Sequence, residues 1–119
     1  MVSEGLDIVN VLEGFLDGLY RKASKSQNIS LTRNKGHYFY SGQKICVYVT
    51  FFPKEVELVF DGEEVGAGIF CVALDICRPN GKILAGDSVS LKGRCSEIKA
   101  ALDAQEESVL TQLLKFLGD

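Results

Sequence analysis

The chain has 119 residues, of which 46% are hydrophobic and 24% charged, and its formal net charge is −3. This composition is typical of one globular domain and excludes general disorder. The apolar runs are too short for a membrane-spanning helix, and the first residues lack a basic segment followed by an apolar one. We therefore expect a single α+β domain over residues 1–119, located in the cytoplasm.

The first predicted element is a helix over residues 3–23. Apolar side chains recur there every three or four residues, which is the spacing of an amphipathic helix packed on a core. Ser3 is a suitable N-cap. Gly14 and Gly18 lie one turn apart inside this helix, where they either let another element approach closely or are tolerated weak positions.

The middle of the chain has the alternation of β-strands, and we predict about six antiparallel strands in a meander-like sheet. Asn34-Lys35-Gly36 resembles a hairpin turn. The strand over residues 44–52 is apolar on both faces and should be central. In the strand over residues 66–77, one face carries small residues, and we expect a terminal helix against it. The predicted strands are residues 29–33, 37–41, 44–52, 55–60, 66–77 and 82–91.

A second helix, predicted over residues 96–118, completes a helix–sheet–helix order. Ser96 is its N-cap and Gly118 its stop. A second apolar stripe lies beside its main apolar stripe. Together the two stripes have more apolar surface than one face of the sheet can cover. We therefore predict a homodimer, because a two-fold interface is the commonest way to bury such a patch. The predicted interface consists of Tyr48, Phe52, Leu110, Leu114 and Leu117.

The sequence has no motif that indicates catalysis or a bound cofactor. Its four cysteines lie mostly in or beside apolar runs, so we expect reduced structural thiols. A single histidine and widely spaced cysteines argue against zinc. Asp75 is the best isolated carboxylate, but a lone aspartate in a strand is more often structural. We predict no metal, no cofactor and no enzyme activity. The cysteines are Cys46, Cys71, Cys77 and Cys95.

Charge is unevenly distributed along the chain. Residues 20–44 contain six basic residues and no acidic one, whereas residues 55–64 contain five acidic residues and no basic one. Basic and aromatic side chains on strands are typical of proteins that bind single-stranded nucleic acid. A solvated hairpin with aromatic side chains in the core gives the same pattern, and a pI of 5.2 disfavours binding to phosphates. The residues of this alternative site are Arg33, Lys35, His37, Tyr38, Tyr40 and Lys44.

One segment, residues 72–102, resembles the strand–turn–strand–helix part of the single-stranded-DNA-binding transcriptional coactivator family. The resemblance lies in Leu74-Asp75-Ile76, the Asn80-Gly81 turn and Val89-Ser90-Leu91 before a helix. Where that family carries lysines ahead of its Ser-Leu step, this chain has Asp87 and Ser88. The resemblance implies binding of single-stranded DNA and so supports the alternative site only.

The leading hypothesis is a small non-enzymatic protein-interaction module of the adaptor, chaperone or immunity type. It rests on the architecture, the acidic charge and the surplus apolar surface, and architecture alone does not establish function. Its expected partners are an unidentified protein and a second copy of the chain. The alternative is a single-stranded nucleic-acid-binding protein that uses a hairpin over residues 33–44.

Overall fold

A computed structural model of the protein describes residues 4–26, 31–39 and 44–118. The elements are α1 (Glu4–Ser26), β1 (Thr32–Phe39), β2 (Lys44–Phe52), β3 (Val56–Gly66), β4 (Ile69–Cys77), β5 (Ile83–Gly93) and α2 (Cys95–Gly118). All strand pairs are antiparallel, and each strand pairs with the next one along the chain. The α+β class and the helix–meander–helix order are therefore confirmed.

The core lies between one face of the sheet and the two helices. In β3 and β4 this face presents Leu58, Phe60, Leu74 and Ile76, all fully buried. Phe15 of α1 meets Phe60 edge-on, with ring centroids 6.0 Å apart. Since burial of each such side chain contributes about 1.5–3 kcal/mol, this layer holds the helices on the sheet.

Neither helix covers the opposite face of the sheet in the part of the chain that the structure describes, and we call this face the open face. The prediction that a terminal helix lies against the small-residue face of β4 is wrong. Both helices pack on the large-residue face, because it offers more apolar area to bury. Cys71 and Ala73, which point away from the helices, are only half-buried.

The hairpin predicted around residues 34–36 is a single strand. β1 pairs with β2 without interruption, from Thr32 opposite Phe52 to Phe39 opposite Ile45. Gly36 serves a close approach instead of a turn, since a Cβ atom there would lie 2.7 Å from the Tyr48 hydroxyl. The first two predicted strands thus form one, and the described residues contain five strands.

Two glycines with positive φ make the turns at the ends of β4. Gly68, at φ 72°, precedes β4, and its N–H donates to the Glu64 carboxylate over 2.9 Å. β3 extends to Gly66 and so includes residues 61–64, which lie between two of the predicted strands. Gly81, at φ 93°, closes the predicted turn after β4 by donating to the Arg78 carbonyl over 2.9 Å. Positive φ is accessible to glycine at little cost.

The helix ends differ from the predicted ones by a few residues. α1 continues to Ser26, and Ser3 lies outside the described residues. α2 begins at Cys95, one residue before the predicted cap. The side chain of Glu97 caps it, because its carboxylate accepts a hydrogen bond of 2.9 Å from the Arg94 N–H. A carboxylate in the first turn also suits the helix dipole.

The second apolar stripe of α2 is used inside the chain. Leu110 and Leu117 are buried in the core, and Leu114 is half-buried against it. Because α2 contacts both the sheet and α1, it buries a wider arc than a helix that lies on a sheet alone. Leu110 and Leu117 are therefore core residues, not the interface residues that we predicted.

Candidate functional site

Three residues of the predicted nucleic-acid site, Arg33, Lys35 and His37, lie beside carboxylates of α1. Asp17 accepts a hydrogen bond of 2.5 Å from Arg33 Nη1, and Lys35 Nζ lies 3.3 Å from the same oxygen. His37 Nδ1 lies 3.9 Å from a carboxylate oxygen of Glu13. These contacts join β1 to α1, which is a structural use of the positive charge.

Tyr20 strengthens this connection between α1 and β1. The guanidinium of Arg33 lies 4.3 Å from the centroid of the Tyr20 ring, a cation–π distance. The Tyr20 hydroxyl donates to the carbonyl of Leu31 over 2.9 Å. Lys44, by contrast, is exposed on the open face. The structure therefore does not bring Arg33 and Lys44 to one surface. The side chain of Tyr38 and the whole of Tyr40 lie outside the described residues.

A trough of about 1030 Å³ lies on the open face, across β2 to β5. No residue of either helix lines it, so it belongs to the uncovered side of the sheet. Its floor is made of small side chains, which leave room for an approaching backbone. The side chains that define the trough are Lys44, Asp61, Glu63, Cys71, Ala73, Ser90 and Lys92.

The charges of the trough follow the strand register. One cross-strand row contains, in order, Lys44, Glu63, Cys71 and Lys92, and Asp61 lies in the next row. Within residues 4–26, 31–39 and 44–118, no ion pair involves any of these four charged side chains. The trough therefore has acidic groups at its centre and a lysine on each side.

The carboxyl of Asp61 is affected by its surroundings. Burial raises its pKa above the usual value, and the negative charge of Asp75 raises it further. The two residues are diagonal neighbours on β3 and β4, since Asp75 pairs with Val59. A positive charge placed beside Asp61 would relieve this repulsion.

At the other end of the open face, the Glu57 carboxylate accepts two hydrogen bonds. The buried Thr50 hydroxyl donates to one oxygen over 2.7 Å, and the Cys77 thiol donates to the other over 3.8 Å. Burial raises the pKa of Cys77 to about 11, and the charges of Glu57 and Asp75 add to the effect. The thiol therefore stays protonated at neutral pH and is a poor nucleophile.

The cysteines and carboxylates that the structure describes form no cluster of metal ligands. All four cysteines are free thiols. In the part of the chain that the structure describes, no three histidine, cysteine, aspartate or glutamate side chains lie close enough to hold a metal ion. Asp75, the isolated carboxylate of the sequence, is half-buried in the inner strand β4.

Sequence reasoning identified the small-residue face of β4 but not the trough on it. Ser90 and Lys92 line the trough because β5 pairs with β4 in a register that the sequence does not specify. The alternation of Cys71 and Ala73 with large apolar residues was the available signal. Tyr48 of the predicted interface is half-buried on the open face, beside the trough and not in its lining.

The chain matches no protein-family model, no curated protein and no solved structure. Residues 72–102 do contain the order strand, turn, strand and helix start. Their resemblance to the single-stranded-DNA-binding coactivators has no support from a family match. Within the described residues, neither helix has the length and apolar composition needed to cross a membrane.

Proposed function

We propose that the protein is a cytoplasmic, non-enzymatic protein-interaction module that binds its partner in the trough of the open face. One observation carries the proposal: among the described residues, helices cover only one face of the sheet, and the other face holds a trough of about 1030 Å³. A sheet face that stays in water is normally polar throughout. This one instead combines half-buried small side chains with charges that the described chain leaves unpaired.

The composition of the trough suits a protein partner. Cys71 and Ala73 on its floor are small enough for another backbone to pack closely against them. Charged side chains at its sides, such as Lys44 and Lys92, would set the register and select the partner.

The non-enzymatic part of the proposal is supported by the state of the candidate catalytic groups. The raised pKa of Cys77 keeps its thiol protonated. His37, the sole histidine of the chain, lies near Glu13 of α1 and away from the trough. Binding of nucleic acid receives less support, because Arg33 and Lys35 would have to leave Asp17 before they could neutralise phosphates.

Differential capture tests the proposed function. The immobilised full chain, a variant with Ala73→Arg in the trough and a control with Ala100→Arg on the exposed side of α2 would be exposed to the same cell extract. Because arginine fills the floor of the trough, Ala73→Arg should lose the partner. Ala100→Arg should retain it, since Ala100 is exposed on a helix away from the open face.

A second trough variant shows whether a loss of binding by Ala73→Arg is due to misfolding. Ser90→Arg changes an exposed position of β5 opposite Ala73. Both trough variants should keep the circular dichroism spectrum of the wild type and lose the same bound proteins. If the two trough variants retain the same proteins as Ala100→Arg, the trough is not the binding surface and the proposal is wrong.

A further inference from the structure

The charges of the trough point to a particular class of partner. We propose that the trough binds an amphipathic helix of a partner protein whose contact line carries lysine or arginine side chains. This inference rests on the proposed function of the trough and adds the chemistry of its occupant. Three observations carry it: the unpaired central carboxylates, the lysines on either side, and the size of the space between them.

The centre of the trough is complementary to cations. Asp61 and Glu63 lie two residues apart on β3, so their Cα atoms are separated by about 7 Å. Neither forms an ion pair within the described part of the chain. Side chains three or four positions apart on a helix are about 5–6 Å apart, so two basic residues on one helix face can meet both carboxylates.

The sides of the trough have the opposite charge. Lys44 on β2 and Lys92 on β5 are separated by three strand spacings, which is about 14 Å. A helix with its side chains is about 10–12 Å across and fits between them. Asp61 and Glu63 would repel a helix with acidic side chains along its contact line. The arrangement of charges therefore favours a helix with basic residues facing β3 and acidic residues on the sides that face Lys44 and Lys92.

The volume agrees with this occupant. A cylinder about 11 Å across and two helical turns long encloses about 1000 Å³, which is close to the trough volume of about 1030 Å³. The small side chains of Cys71 and Ala73 let a helix approach the sheet closely. A second copy of the trough fits less well as the occupant, since centring one trough on the other would bring carboxylates together.

Two synthetic peptides test the inference. Both would be fluorescently labelled amphipathic helices of leucine and alanine, one with lysine and one with glutamate along the contact line. Fluorescence anisotropy would measure their binding to the full chain. The lysine peptide should bind at least about tenfold more tightly than the glutamate peptide, because two carboxylates attract one and repel the other.

Matched variants show where the lysine peptide binds. Asp61→Lys with Glu63→Lys should weaken its binding by about tenfold or more. Asp103→Lys with Glu107→Lys makes the same charge change on exposed positions of α2 and should alter binding less than about twofold. The neutral pair Asp61→Asn with Glu63→Gln should weaken binding by a smaller factor while the fold stays at least as stable.

Each other outcome overturns the inference. If both charge-reversed variants weaken binding equally, net charge and not the trough attracts the peptide. If wild-type chains form a dimer that Asp61→Lys with Glu63→Lys dissolves, the occupant is a second copy. If the lysine peptide does not bind while Ala73→Arg still loses captured proteins, the occupant has another chemistry and the proposed function stands. The proposed function itself is contradicted only if Ala73→Arg and Ala100→Arg capture the same proteins.

Discussion

Asp61 lies beside Asp75 on the open face, and burial together with that neighbouring charge raises the pKa of its carboxyl. The unfolded chain keeps the ordinary value near 3.8, so the folded state binds the proton more tightly. The contribution to stability is present below that ordinary pKa and is lost as the pH rises through the raised pKa. At neutral pH the charged form of Asp61 therefore opposes folding, while the same charge would attract a basic partner.

Replacing Asp61 by asparagine should stabilise the fold at neutral pH. We expect the free energy of unfolding to rise by about 0.5 kcal/mol or less, since solvent screens a charge that is only partly buried. Below pH 3.8 the gain should vanish, because the native carboxyl is then protonated too. Urea denaturation at both pH values measures the difference.

The matched control is Asp103→Asn, which removes a carboxylate that pairs with Lys99 on α2. It should give no gain at neutral pH, because it removes attraction and not repulsion. A gain for Asp61→Asn that is the same at both pH values would contradict the electrostatic explanation.

At the scale of elements, periodicity was enough to predict both helices and most of the strands. The turn predicted at Gly36 was wrong, because glycine occurs both in turns and where a side chain passes close to the backbone. At Gly36 that side chain is Tyr48. The prediction of which face of the sheet the helices cover was also wrong. The alternation of residues separates the two faces of β4 but does not show which face the helices bury. The trough could not be predicted, since it depends on the strand register.

Gly14 of α1 offers a test of helix packing. No heavy atom lies within 4 Å of the place where its Cβ would be, so an alanine fits without displacement. Gly14→Ala should raise the free energy of unfolding by about 0.5–1 kcal/mol, because alanine has the higher helix propensity. Urea denaturation at neutral pH measures the gain.

Gly18→Ala is the comparison for this variant. A Cβ there would lie 3.0 Å from a carboxylate oxygen of Glu106, which pairs with Lys22. That side chain must shift, so Gly18→Ala should gain less than Gly14→Ala. An equal or larger gain at Gly18 would show that helix propensity alone decides both positions and that packing between α1 and α2 does not matter.

At the scale of the whole molecule, less apolar surface is exposed to solvent than the sequence analysis predicted. Val65 and Ile83, with 49% and 54% of their surface exposed, are the large hydrophobic residues that remain exposed among those described. The stripes of α2 are used inside the chain. The proposed self-association therefore rests on Tyr48 and Phe52, which are half-buried on the open face. Phe52 lies at the end of β2, whereas the trough is lined by the first residues of that strand.

Light scattering at micromolar concentration tests this homodimer. The wild type should have about twice the chain mass of 13.0 kDa. Phe52→Arg should return the mass to that of one chain, because it places a charge in the proposed apolar contact. Leu114→Arg on α2 is the control and should keep the dimer. A wild-type mass near 13.0 kDa would show that the chain does not pair with itself.

The sequential strand order has a consequence for how the chain folds. Every strand pair joins neighbours in the sequence, and such local contacts form quickly because little loop entropy is lost. The contact between α1 and α2 is different, since its Lys22–Glu106 pair joins residues 84 positions apart. We therefore expect hairpin pairing to precede the closure of the two helices. The trough, which is lined by strand residues alone, would take shape in that earlier stage of folding.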